Sequence, residues 1–234
     1  MTEHIVTSFD DDLDELEGLI RSMGETASAM VSRATRAIIE ADEALSRQVV
    51  SEDLVMDARQ RELDDKAITL IARRQPMAAD LRAVVGAIRM AADLERIGDL
   101  AKNIAKRVAA LGEAVAPRHY SHSIETMAET VLEQVAGVVE CYERRDAAGL
   151  GDLRAADEAI DIQYTAIFRE LLTYMMEDPR NITACTHLLF CAKNLERIGD
   201  HVTNIAENAY YVMTGSQLPP DRPKQDETAT VSVE

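Results

Sequence analysis

Residues 94–99 read LERIGD, and residues 195–200 read LERIGD again, 101 positions further along the chain. The triplet NIA follows both copies at the same offset, at 103–105 and at 204–206. Nine identical positions in a window of twelve do not arise from composition, and self-similarity at a fixed offset indicates an internal duplication. The sequence therefore predicts two similar halves.

Each copy of the motif places Glu, Asp and Asn four residues apart, which on an α-helix puts the three side chains in one row. The two rows are Glu95, Asp99 and Asn103, and Glu196, Asp200 and Asn204. Two carboxylates at this spacing repel each other by about 0.2–0.5 kcal/mol at an exposed position, so their presence in both copies suggests a bound cation. Oxygen ligands suit hard cations such as Mg²⁺, Ca²⁺ and Mn²⁺, or an iron centre.

Each motif also contains a glycine, Gly98 in the first copy and Gly199 in the second. A glycine inside a helix costs roughly 1 kcal/mol relative to alanine, and here the cost recurs at the same place. We therefore expect another backbone or a bulky ligand to approach each helix closely at this position.

Acidic residues on the preceding helix of each half can complete the two sites. They are Asp57 and Asp64 in the first half, and Asp157 and Asp161 in the second. For these four residues, an ordinary role as solvated acids is an equal alternative. For the motif carboxylates, the alternative is an exposed helix face on which Arg96 and Arg197 act as partners.

The composition favours a helical protein that binds cations rather than nucleic acid. A net charge of −17 repels phosphate backbones and anionic lipid surfaces, so we expect binding to neither. No stretch reaches about 18 uninterrupted apolar residues, so we expect no membrane insertion. Hydrophobic residues make up 47% of the chain, which is enough for a sizeable core. The three cysteines lack CxxC spacing, and the acidic N-terminus does not resemble a signal peptide, so we expect a cytoplasmic protein.

Apolar periodicity and helix-start signals predict an all-α fold of six helices. The predicted helices cover about residues 8–40, 42–74, 78–111, 123–145, 151–176 and 180–213. Asp42 is the expected N-cap of the second helix. The chain thus divides into a first half at 1–112, a linker at 113–122, a second half at 123–214 and a disordered tail at 215–234.

No sequence motif nominates catalytic residues. The chain contains no glycine-rich dinucleotide fingerprint, P-loop, nucleophile elbow or HExxH zinc motif. The Glu-x-x-His pattern of di-iron bundles is absent as well, because His187 and His201 are isolated. We expect His201 to lie on the surface beside the second motif.

The chain resembles the PhoU family of phosphate-transport accessory and regulatory proteins. Besides the two LERIGD copies, the similarity includes IARRQP at 71–76 and FRELLTYMMEDP at 168–179. The resemblance implies two tandem three-helix bundles, often dimeric. It also implies divalent or multinuclear iron sites on Glu95, Asp99, Glu196 and Asp200. By proximity, the remaining candidate ligands are Asn103, Asn204, Asp57, Asp64 and Asp161.

The resemblance further implies negative regulation of phosphate uptake and of the phosphate-starvation response. The expected partners are the ATPase subunit of the phosphate transporter and a membrane sensor histidine kinase. A metal-dependent phosphohydrolase or phosphate-binding protein is the main alternative to this non-enzymatic adaptor, and a metal-free structural bundle is a third. One departure concerns the second site. Asp57 lies seven residues before Asp64 in the first half, but the residue seven positions before Asp161 is Arg154. We therefore expect fewer carboxylates at the second site.

Overall fold

The computed structural model describes residues 2–111 and 118–218, and this part of the chain is helical with short turns and no β-strand. The helices of the first half are α1 at Thr2–Glu40, α2 at Glu43–Arg74, α3 at Ala79–Ala105 and the short α4 at Arg107–Leu111. The helices of the second half are α5 at Arg118–Glu143, α6 at Ala147–Glu177 and α7 at Ile182–Thr214, with a 3₁₀ turn at Pro179–Asn181 before α7. None of the described helices combines the length and apolar character needed to span a bilayer.

Side-chain caps set the starts of the second helix in each half. The Asp42 carboxylate accepts hydrogen bonds from the backbone N–H groups of Ala44 and Leu45, which confirms the predicted cap. Asp146 plays the same part for α6 by accepting a hydrogen bond from the Gly149 N–H at 3.0 Å. Helix α6 therefore begins at Ala147, four residues before the predicted start, because the cap lies upstream of the apolar pattern.

Two further boundaries differ from the prediction. The predicted helix over 78–111 is interrupted at Lys106, which separates α3 from α4. Helix α5 begins at Arg118, inside the predicted linker, because the polar residues of a first helical turn read equally well as a loop. The rest of the linker at 112–117 and residues 219–234 of the predicted disordered tail lie outside the described residues.

Helices α1–α3 form one three-helix bundle and α5–α7 form the second, so the predicted duplicated all-α fold is confirmed. The bundles lie side by side, with α3 packed along α7 and α1 along α5. The α3–α7 pair is antiparallel, since Asp93 contacts His201 whereas Arg107 contacts His187. Along these helices the two LERIGD segments therefore lie opposite each other at the centre of the molecule.

The core follows the predicted periodicity along α1. Positions spaced three and four residues apart become a fully buried seam from Leu16 through Ile20, Met23 and Met30. Burying each such side chain contributes roughly 1.5–3 kcal/mol relative to exposure. The motif helices bury their apolar side in the same way, and Ile97 and Ile198 are both inaccessible to solvent. The acidic residues of each motif are thereby directed toward the second helix of their own bundle.

Candidate functional site

The caps of α2 and α6 fix how the two halves correspond. Asp53 and Asp157 each lie 11 residues after their cap, and Asp57 and Asp161 each lie 15 residues after it. The expectation that Arg154 takes the place of Asp57 is therefore wrong, because it aligned Asp161 with Asp64. Each half has two carboxylates at these corresponding positions of its second helix, so the second site is not poorer in carboxylates than the first.

The first carboxylate cluster lies between α2 and α3. The side chains of Glu95 and Asp99 are 15% and 27% exposed and share a hydrogen bond. Burial, followed by the neighbouring charges of Asp99 and Asp57, raises the pKa of Glu95. Asp99 of α3 and Asp57 of α2 therefore lie close enough to Glu95 of α3 for their charges to act on it. The structure thus places three of the predicted site residues in one cluster.

A lysine lies within this first cluster. The Lys102 ammonium group is 2.6 Å from Oδ2 of Asp53 and 2.5 Å from Oδ1 of Asp99, so it bridges α2 and α3. Burial acts to raise the pKa of Asp99, but Lys102 and the hydrogen bond with Glu95 outweigh burial and lower it. Of the two hydrogen-bonded carboxyls, Glu95 is therefore the one that retains a proton to higher pH.

The second cluster lies between α6 and α7 and is more deeply buried. Asp157, Asp161 and Glu196 are 2%, 4% and 5% exposed. Lys193 donates to Oε1 of Glu196 at 2.8 Å, whereas Oε2 of Glu196 is buried without a hydrogen-bond partner. Burial raises the pKa of Glu196, and the charges of Asp200 and Asp161 act in the same direction against Lys193.

The motif glycines allow the two helices of each site to approach each other. A Cβ at Gly199 would lie 2.6 Å from Oδ1 of Asp157 and 2.9 Å from Cδ1 of Ile160, closer than non-bonded atoms pack. A Cβ at Gly98 would lie 3.3 Å from Cγ of Met56, which is tight but less so. The predicted close approach is confirmed, but side chains of the neighbouring helices make it rather than another backbone.

Asn204, Asn103 and Asp64 have surroundings that differ from those of the clustered carboxylates. Asn204 is exposed and donates a hydrogen bond to Asp93 of α3 at 3.3 Å. His201 contacts the same Asp93 oxygen through Nδ1 at 2.9 Å, so both side chains connect the bundles. Asn103 is exposed on α3. Asp64 lies two turns of α2 beyond Asp57, and burial followed by the charge of Asp65 raises its pKa.

Sequence reasoning missed Asp53 and Lys102. Asp53 is 6% exposed and occupies the position that Asp157 holds in the second half. The spacing from the two caps was the signal that could have identified Asp53. Lys102 could be noticed only as a cation one turn after Asp99, and its bridging contact required the helices to be packed.

The donor set fits a hard cation, although the side chains are not arranged as a completed site. Among residues 2–111 and 118–218, no three His, Cys, Asp or Glu side chains converge on a common point as metal ligands. Each cluster nevertheless offers four carboxylates, and the buried Oε2 of Glu196 leaves an acceptor for a cation to satisfy. The four carboxylates of each cluster are Asp53, Asp57, Glu95 and Asp99, and Asp157, Asp161, Glu196 and Asp200.

Two side-by-side three-helix bundles, each with a carboxylate cluster between its second and third helices, define a class of duplicated acidic helical-bundle proteins. The family model described as PhoU domain matches this chain at residues 20–108 and again at 124–209. The chain belongs to the PhoU family, which confirms the resemblance inferred from the two motifs.

Several proteins are similar over nearly their whole length. A phosphate-specific transport system accessory protein PhoU homolog of Rhizobium meliloti is 52% identical over 228 residues, covering 97% of this chain and 96% of that protein. The Caulobacter vibrioides homolog is 47% identical over 226 residues, covering 97% and 98%. The crystal structure of PhoU from Pseudomonas aeruginosa has a TM-score of 0.85 at 34% identity, covering 89% of this chain and 100% of that one.

A more distant structure has the same fold. The crystal structure of the phosphate transport system regulatory protein PhoU from Streptococcus pneumoniae has a TM-score of 0.83 at 27% identity. It covers 90% of this chain and 99% of its own. The two-bundle architecture therefore persists where about three quarters of the residues differ.

Proposed function

We propose that this protein is a non-enzymatic regulator of phosphate uptake and of the phosphate-starvation response. Its family membership and the names of its relatives as accessory proteins of a phosphate-specific transport system support this role. The chain acts as a cytoplasmic helical adaptor between the transporter's ATPase subunit and a sensor histidine kinase. A homodimer is the expected assembly.

The observation that carries this proposal is the duplicated carboxylate cluster. A protein that places four carboxylates between the same two helices of each half incurs repulsion twice, which Lys102 and Lys193 offset in part and a bound cation would offset further. In the second cluster, the ion would also satisfy the buried Oε2 of Glu196. Carboxylate oxygens favour Mg²⁺, Mn²⁺, Ca²⁺ or iron. Bound ions would hold α2 against α3 and α6 against α7, which fixes the surface presented to partners.

Surface properties support protein partners rather than nucleic acid. The net charge of −17 favours basic protein surfaces. The outer helices α2 and α6 expose isolated large apolar side chains, with Leu54 67%, Ile68 62% and Ile162 51% exposed. An apolar side chain gains about 25 cal/mol per Å² of apolar area when a protein partner covers it.

One observation favours a second function, a metal-dependent phosphohydrolase. Four carboxylates in one cluster can hold two metal ions close together, which is the arrangement that activates water and stabilises a transferring phosphoryl group. Incubation of the metal-loaded protein with a phosphoester distinguishes the two functions. Turnover above a no-protein control, lost in Glu95→Gln plus Glu196→Gln, would replace the adaptor proposal.

The adaptor proposal is tested by elemental analysis and partner capture with protein purified without chelator. We compare the wild type with Asp99→Ala plus Asp200→Ala, which removes one carboxylate from each cluster. The matched control is Asp65→Ala plus Asp152→Ala, which removes two exposed carboxylates from α2 and α6.

We expect metal content and capture of the transporter ATPase subunit to fall only in the cluster variant. Equal and negligible metal in all three proteins overturns the metal assignment. Capture that is equally strong in all three, at normal metal content in the wild type and control, overturns the link between the clusters and the adaptor surface.

A further inference from the structure

We propose that the exposed crest of α3 and α7 is a docking surface for an acidic segment of a partner protein, and that cations bound in the carboxylate clusters strengthen this docking. The inference rests on the proposed metal binding and gives the chemistry of one partner. The crest consists of the exposed residues of segments 82–106 and 184–213. These residues are Arg89, Arg96, Asn103 and Lys106 in the first segment, and Phe190, Arg197 and Asn204 in the second.

The crest follows the internal duplication. On α3 and on α7, three crest residues recur every seven positions, and each of the three on α3 corresponds to one on α7 101 residues later. The identical leucine, isoleucine and glycine of the two motifs are buried, so packing accounts for them. Packing does not account for Arg96 and Arg197, since both are exposed and the Arg96 side chain is 62% exposed. A contact with another molecule would account for them.

The crest is cationic although the whole chain is acidic. Its charged residues are Arg89, Arg96, Lys106 and Arg197, and none of its seven residues is Asp or Glu.

Helices α1 and α5 form the opposite side of the four central helices. Between residues 122 and 143 of α5, the exposed residues include five glutamates and no lysine or arginine. These glutamates are Glu125, Glu129, Glu133, Glu140 and Glu143. The two faces therefore differ in the sign of their outermost charges, and the crest is complementary to carboxylates of a partner.

Cation binding in the clusters would make the crest more positive. Arg96 lies beside the first cluster, because its Nε is 3.7 Å from Oε2 of Glu95 and its Nη1 is 3.5 Å from Oδ2 of Asp99. Without a bound cation, these carboxylates reduce the positive potential that Arg96 presents to a partner. A divalent cation adds two positive charges next to the guanidinium group and reverses this effect. Arg197 holds the same position in the second motif.

The extent of the crest and one aromatic side chain favour a protein segment over a small anion. Phe190 is 50% exposed, and the guanidinium carbon of Arg107 lies 4.1 Å from the centre of its ring. Exposed aromatic and arginine side chains are frequent anchors of protein interfaces. From Arg89 to Asn103 the crest runs about 21 Å along α3. A protein segment can contact several crest residues at once, whereas a free oxyanion cannot cover this length.

The test uses full-length protein and a fluorescein-labelled peptide of about 20 residues, which as a helix would span about 30 Å. Glutamates alternate with alanines in this peptide around one central leucine. The control peptide has glutamine in place of every glutamate. Fluorescence anisotropy measures binding at low ionic strength, with Mn²⁺ or with chelator.

We expect the Mn²⁺-loaded wild type to bind the acidic peptide about tenfold more tightly than the chelator-treated protein. In Mn²⁺, Arg96→Gln plus Arg197→Gln should weaken binding by about tenfold or more. Phe190→Ala leaves the charge unchanged and should weaken it by about threefold. The matched control is Arg36→Gln plus Arg144→Gln, which removes two exposed arginines away from the crest and should change binding little.

The outcomes separate this inference from the proposed function. Affinity that is equal for the two peptides, or unchanged in Arg96→Gln plus Arg197→Gln, overturns the docking surface. Vesicles of phosphatidylserine that bind through these arginines, when the peptide does not, assign the crest to a lipid surface and overturn it as well. Affinity that is the same with Mn²⁺ and with chelator overturns the effect of the cations.

The electron paramagnetic resonance signal of free Mn²⁺ reports metal binding separately. If the protein binds no Mn²⁺, the proposed metal function fails. The comparison of the wild type with Arg96→Gln plus Arg197→Gln then still decides whether the crest binds an acidic segment.

Discussion

Asp157 of α6 places Oδ1 2.6 Å from the point where a Cβ on Gly199 of α7 would stand. The corresponding glycine of the first half, Gly98, faces the flexible side chains of Met56 and Met30 instead. The same glycine in the duplicated motif therefore meets a buried carboxylate in one half and thioether side chains in the other. This difference makes the two positions a matched pair for mutation.

Gly199→Ala should destabilise the protein, whereas Gly98→Ala should have little effect. Alanine gains roughly 1 kcal/mol of helix propensity at either position. At Gly199, overpacking against Asp157 and Ile160 costs about 1–3 kcal/mol and outweighs this gain. At Gly98, Met56 can move, so we expect a net change within about 0.5 kcal/mol. Urea titration measures the free energy of unfolding of both variants.

Gly18→Ala provides the control for this comparison. No atom lies within 4 Å of a Cβ at Gly18, so this variant should be stabilised by about 0.5–1 kcal/mol. If Gly199→Ala gained stability as Gly18→Ala does, the close packing of α6 against α7 would be incorrect.

Glu196→Gln should stabilise the metal-free protein increasingly as the pH rises. The folded-state pKa of Glu196 is raised, chiefly by burial, so ionisation is more costly in the folded than in the unfolded state. Below the ordinary pKa of glutamic acid, the carboxyl is protonated in both states and the cost is absent. The cost grows as the pH passes that value and is complete above the raised folded pKa.

Thermal unfolding from pH 4 to pH 8 in the presence of chelator measures this effect. We expect the melting temperature of Glu196→Gln to exceed that of the wild type by a few degrees at pH 8, and the difference to shrink toward pH 4. Glu133→Gln removes an exposed carboxylate from α5 and should show no such trend. A difference that is constant with pH, or that grows toward pH 4, would contradict the buried ionised state of Glu196.

Asp53→Asn should destabilise the first bundle although Asp53 lies outside both motifs. Its carboxylate is buried and pairs with Lys102 at 2.6 Å, so the variant leaves Lys102 with one of its two partners. Because Lys102 is partly exposed, we expect a loss of about 1–2 kcal/mol, below the cost of breaking a fully buried pair. Asp65→Asn, at an exposed position of α2, should be neutral in the same urea titration. Equal stability of the two variants would show that the pair of Asp53 with Lys102 does not stabilise the cluster.

Asn204→Ala should weaken the contact between the bundles without changing metal binding. Asn204 donates to Asp93 of α3 rather than to the carboxylates of its own row. Loss of this exposed hydrogen bond should cost about 0.5–1 kcal/mol. Mn²⁺ affinity should stay within about twofold of the wild type, whereas Asp200→Ala should abolish the site on α7. If Asn204→Ala lost as much Mn²⁺ affinity as Asp200→Ala, Asn204 would be a metal ligand after all.

The fold was largely predictable because its determinants are local. The α1 seam from Leu16 to Met30, the Asp42 cap and the repeated motif each depend on residues close together in sequence. The boundaries that differ, at Arg118 and Ala147, depend on polar residues that are compatible with both a loop and a first helical turn.

The site was predictable only in part, because it is assembled between helices. The motif gave Glu95, Asp99, Glu196 and Asp200 directly, since four-residue spacing fixes a shared face. The correspondence of α2 with α6 depends on both N-caps. When Asp146 is not recognised as the N-cap of α6, Arg154 is aligned with Asp57 by mistake. Lys102 could not be assigned from spacing, because its bridge to Asp53 depends on the packing of α2 against α3.

Anomalous diffraction from crystals grown with Mn²⁺ tests the central claim most directly. We expect one peak or cluster of peaks between α2 and α3, beside Asp57 and Glu95, and another between α6 and α7, beside Asp161 and Glu196. Peaks confined to other surfaces, or none at millimolar Mn²⁺, would contradict the assignment of the duplicated carboxylate clusters as cation sites.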